Sequence, residues 1–184
     1  GGLPVELVDA LWHMHEMVFG FVVAIIIGFL FTAARNWTGL PLPAGVPLAA
    51  LFALWIAGRI GMFAAYGPVT AFLAQSLLVI VAGVLAEKFI RARSLCSMPL
   101  VVVLLALAAA NIAFHASMHG LILFSPMAAV ELGLMLIVLV EMIVGGRVVP
   151  GFTANASPGV PQFRSAWLHR GSFVLVAAAI IADA

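Results

Sequence analysis

Two short stretches hold the residues best suited to chemistry. WHMHEM carries His13, His15 and Glu16, and NIAFHASMH carries Asn111, His115 and His119. Neutral imidazole is the commonest nitrogen ligand for metals, and it changes charge near physiological pH. Four histidines accompanied by a carboxylate and an amide therefore point to a metal or haem site. Met14 and Met118 flank the histidines and offer soft sulfur to copper, although packing is the plainer use of methionine in a chain with eight of them. The single cysteine, Cys96, excludes an internal disulfide and any multi-thiolate zinc or iron–sulfur site within the chain. The competing reading is interfacial, with histidines at a bilayer edge bonded to carbonyls or lipid headgroups and holding no ligand.

The elements that must position these groups are dictated by hydropathy. Of 184 residues, 65% are hydrophobic and 8% charged, far from the balance of a soluble domain. A helix needs about 20 mostly apolar residues to cross a bilayer. Five runs qualify: Leu11 to Ala34, Pro47 to Ala65, Val69 to Ala86, Pro99 to Met118 and Pro126 to Val144. A sixth starts near Gly171 and is cut short. Backbone polar groups in lipid must be satisfied internally, so each run is expected to be helical. The expected fold class is all-α: a polytopic transmembrane helical bundle with five complete spans plus one truncated, residues 1–184 forming one membrane-embedded unit, read as a fragment of a longer chain with further helices. A net charge of +1 leaves no basic face for nucleic acid.

Charge sets the orientation. Arg35 follows the first span, Lys88, Arg91 and Arg93 the third, and Arg147, Arg164 and Arg170 the fifth. Loops 35–46, 87–98 and 145–170 are thereby expected to be cytoplasmic. Within 145–170, Gly145, Gly146 and Pro150 read as the stop of the fifth helix, and Thr153 and Asn155 are left without a role by that reading. The sequons NWT and NAS fall on this side and are chance matches. His13, His15, His115 and His119 gather at the opposite, outer end, whereas His169 lies on the basic side beside Arg170.

Helical phase refines this placement. Asn111, His115 and His119 share one stripe at i, i+4 spacing. At 3.6 residues per turn, His13, Glu16, Gly20 and Ala24 share a face of the first span, with His15 pointing elsewhere. His13 with Glu16 is thus expected to look into the bundle, toward His115 or His119, with His15 interfacial or part of a second site. Arg59 in the second span either snorkels or pairs with Glu16 or Glu131, or meets a haem propionate; Glu141 is expected near Arg147 or the inner surface.

Four ordered motifs, WHMHEMVFGF, GFLFTAARNWTGLP, NIAFH and GGRVVPGFTANA, resemble the NnrS family of bacterial haem- and copper-containing membrane proteins, from about Leu11 to Ala156. The resemblance implies a multi-pass protein of the bacterial inner membrane, linked to denitrification and nitrosative stress. Its implied cofactors are haem and, as a second candidate, copper, and its implied partner is nitric oxide or a metal adduct of it. On that expectation the cofactor-binding candidates are His13, His15, His115 and His119, the metal candidates His13, His115 and His119, and the supporting groups Glu16, Asn111, Arg59 and Glu131. The resemblance leaves open whether haem-dependent redox handling of nitric oxide makes the protein an enzyme, and no catalytic residue is assigned. The alternative is a proton-coupled transporter or permease, with Arg59, Glu131 and the histidines lining a path; a third reading is a structural subunit that shields metal centres.

Overall fold

The computed structural model describes residues 5–64, 67–157, 171, 174–176 and 178. Every regular element among the described residues is helical. Helix α1 (Val5–His15), a π-helical stretch (Glu16–Val22) and α2 (Val23–Thr38) follow one another without a break. Together they make the first span, Ala10–Thr38. Helices α3 (Val46–Ala64), α4 (Pro68–Arg91), α5 (Met98–Met118) and α6 (Pro126–Ala156) supply the others. The all-α fold with five helices long and apolar enough to cross a membrane agrees with the hydropathy reading. The sixth run lies largely outside the described residues, as do Arg164, His169 and Arg170.

Local chemistry sets the helix ends. Proline opens α4 and α6 and sits in the first turn of α5, where its missing N–H costs no hydrogen bond. Gly39 stops α2 with φ 69°, a left-handed conformation that a Cβ would strain, and its N–H reaches Arg35 O at 2.8 Å. One expected stop does not occur. Helix α6 continues through Gly145, Gly146 and Pro150 to Ala156, since an internal proline removes a single backbone bond and kinks a helix without always ending it. The Thr153 hydroxyl bonds Val149 O at 2.9 Å, which gives that side chain a local use.

The chain divides into two compact units, Gly1–Gly133 and Leu134–Ala184. Within the first, α4 packs against α3 and α5, and the first span packs on α3 and α4. Leu30, Val81, Leu85, Leu104 and Leu107 are wholly buried at its centre. Glycine permits two close approaches. A Cβ on Gly58 would lie 3.3 Å from Ala74 Cα, where α3 crosses α4, and one on Gly133 would lie 2.7 Å from the Phe19 ring. Helix α3 is peripheral, exposing Phe52, Ile60 and Phe63 as a lipid-facing helix does.

Candidate functional site

One half of the first unit holds a buried polar knot built by three spans. Leu11, His15, Val18, Phe19, Val23, Ile26 and Leu30 form the buried stripe of the first span. The stretch Glu16–Val22 is π-helical, and its i→i+5 bonding places more residues in each turn than an α-helix does. Extrapolating a regular α-helix from Gly20 back to His13 therefore mistakes the phase. His15 is 0% exposed and points into the bundle, and His13 is exposed, so the inward assignment of His13 and the interfacial assignment of His15 are reversed.

Both ring nitrogens of His15 are engaged. Nδ1 donates to Glu16 Oε1 at 3.1 Å, and Nε2 lies 2.8 Å from Asn111 Oδ1 on α5. Asn111 suits either charge state of the ring: its Oδ1 accepts from an imidazolium, and the amide turned over donates Nδ2–H to a neutral ring. Glu16 Oε1 also accepts from Arg59 Nη1 at 2.7 Å, which makes Glu16 the partner of Arg59; Glu131 is exposed on α6. The His15 ring stacks on Phe114 at 4.5 Å between centroids and meets the His115 ring edge-on at 5.1 Å. His115 is buried beside it, 4% exposed, and His119, at the end of the same stripe, is exposed.

Gly20 is what lets α3 reach this knot. A Cβ there would meet the Arg59 guanidinium, and the Gly20 carbonyl accepts from Trp55 Nε1 at 3.1 Å. Trp55 escaped the sequence reading, although its i, i+4 spacing from Arg59 places both on one face of α3. The aromatic walls Phe19 and Phe114 escaped it as well, being indistinguishable by type from ordinary core residues.

The arrangement decides which donors suit which cofactor. Among the described residues, no three His, Cys, Asp or Glu side chains gather to hold a metal ion. A haem takes four equatorial ligands from its macrocycle and needs as little as one imidazole from the protein. His15 has no ring nitrogen left to give. His115 is the buried imidazole beside it and would be the residue to hold such a group. A cleft of about 730 Å3 lies in the other half of the same unit, and no histidine lines it.

Five apolar membrane-length helices and a buried histidine–carboxylate–arginine knot built by three of them define the class: a multi-pass helical membrane protein with a polar centre. The family model described as NnrS protein matches residues 2–184, and the chain belongs to the NnrS family. Membership supports a membrane protein related to the nitric-oxide response. No curated protein and no solved structure matches the chain.

Proposed function

We propose that the protein binds haem in the bacterial inner membrane, with His115 as the protein ligand to iron, and serves the nitric-oxide response by binding nitric oxide there. The observation that carries this reading is the burial of His115 against His15, whose own nitrogens are fixed by Glu16 and Asn111. The haem would supply an iron centre to which a small diatomic ligand binds. What the chain contributes is positioning. Glu16 and Asn111 lock the His15 ring, His15 and Phe114 pack the neighbourhood of His115, and Arg59 balances the carboxylate charge. The surrounding apolar helices keep water from the centre and raise the weight of each polar contact. No cluster of three His, Cys, Asp or Glu among the described residues favours copper, and nothing described favours the transporter reading.

The test is optical. Purified full-length protein should show a haem absorbance band that shifts when nitric oxide is added. His115→Ala should lose most of the band, and His13→Ala should keep it, because His13 faces outward. Equal haem content in the two variants would refute the assignment of His115, and an unmoved band would refute nitric-oxide binding.

A further inference from the structure

The cleft on the opposite half of the first unit is unrelated to the histidines. It runs between α2 and α3, from Ala24 and Trp55 near the membrane centre to Arg35, Asn36 and Pro43 at the basic end. From Ala24 to Arg35 a helix rises about 16 Å, close to one leaflet of a hydrocarbon core about 30 Å thick. Its deep walls are apolar, among them Ile27, Phe31, Leu51 and Leu77. At the mouth stand the Arg35 guanidinium and the Asn36 amide, both exposed. The Thr32 hydroxyl on the same wall is occupied by Gly28 O at 3.1 Å. Polar recognition is therefore confined to one end and carries positive charge.

A seat one leaflet deep with a single cationic end has the shape and polarity of an anionic amphiphile. We propose that the cleft holds one anionic phospholipid of the basic-side leaflet, an acyl chain between α2 and α3 and the phosphate at Arg35 and Asn36. Charge complementarity selects this occupant over another apolar helix, which would leave the cation unanswered, and over a zwitterionic lipid, which would answer it only in part. Lys88, Arg91 and Arg93 end the third span and add positive potential on the side where Arg35 ends the first, although Glu87 offsets part of it through Arg91 at 2.9 Å.

Gly28 supplies a clean variant. It lines the cleft, and a Cβ added there meets nothing within 4 Å, so a larger side chain fills the seat without colliding with the helices. The full chain, purified in detergent, would be incubated with dioleoyl phosphatidylglycerol or phosphatidylcholine and the retained lipid counted by native mass spectrometry. The expected result is one phosphatidylglycerol retained over phosphatidylcholine by roughly fivefold, since one basic side chain near an anionic surface is worth about 1 kcal/mol. Arg35→Gln, a surface change that the fold tolerates, should bring the ratio near one, and Gly28→Leu should reduce retention of both lipids. Soluble glycerol phosphate should not displace the lipid, because the chain supplies most of the binding. Equal retention of the two lipids by the unaltered protein, an unchanged ratio in Arg35→Gln, undiminished retention in Gly28→Leu, or displacement by glycerol phosphate would each overturn the proposal.

Discussion

Glu16 Oε1 takes two donors, His15 Nδ1 and Arg59 Nη1, while its side chain is 13% exposed. Removing its charge leaves a guanidinium with little water and no counter-charge, the costly half of a buried pair. Glu16→Gln should lower stability by about 2 kcal/mol, the scale of a hydrogen bond to a charged group in a mostly buried setting. Adding Arg59→Met should restore much of the loss, and thermal unfolding of the single and double variants in detergent measures the coupling. An additive double variant would show that the pair is not coupled. Sequence identified every member of this knot by residue type, because ionisable side chains in an apolar run are rare and costly. It misjudged which histidine belonged, since adjacent polar residues are told apart only by phase.

At the level of elements, spans were legible because hydrophobic length is a one-dimensional property, and lipid leaves the backbone few alternatives to a helix. Phase was less so. A π-helical stretch has no clear signature in EMVFGFV, and proline inside α6 reads as a stop until a continuous helix is seen across it. Glycine serves in two ways: Gly20 and Gly58 admit neighbours, whereas Gly28 faces an open cleft. Gly133 shows how tight the packing is. The α6 backbone sits so near Phe19 that Gly133→Leu should force the ring off its seat and cost about 1–3 kcal/mol as overpacking does. Gly28→Leu serves as the matched control, and a thermal midpoint as low in the control as in Gly133→Leu would contradict the contact.

For the whole molecule, the expected orientation places the ends of α2 and α4 at the cytoplasmic surface. Cys96, the single cysteine, is exposed in the short connection between α4 and α5. A membrane-impermeant maleimide should therefore label it in inverted vesicles and leave it unlabelled in intact spheroplasts; the opposite pattern would invert the topology. The cleft was invisible in the sequence, since it depends on how far α2 and α3 splay and on nothing that either helix declares alone. The π-helical stretch also bears on how the chain tolerates change in length. A π turn accommodates one residue more than an α turn, so the first span carries a spare. Deleting a single residue between Glu16 and Val22 would let the ladder close as ordinary α-helix, a gain in regularity rather than a break. Because the π turn has already absorbed that residue, the helices on either side of it would keep nearly the phase they have. His15 would stay on the side of Asn111, and the segment would remain a sound membrane helix with its polar knot still tied.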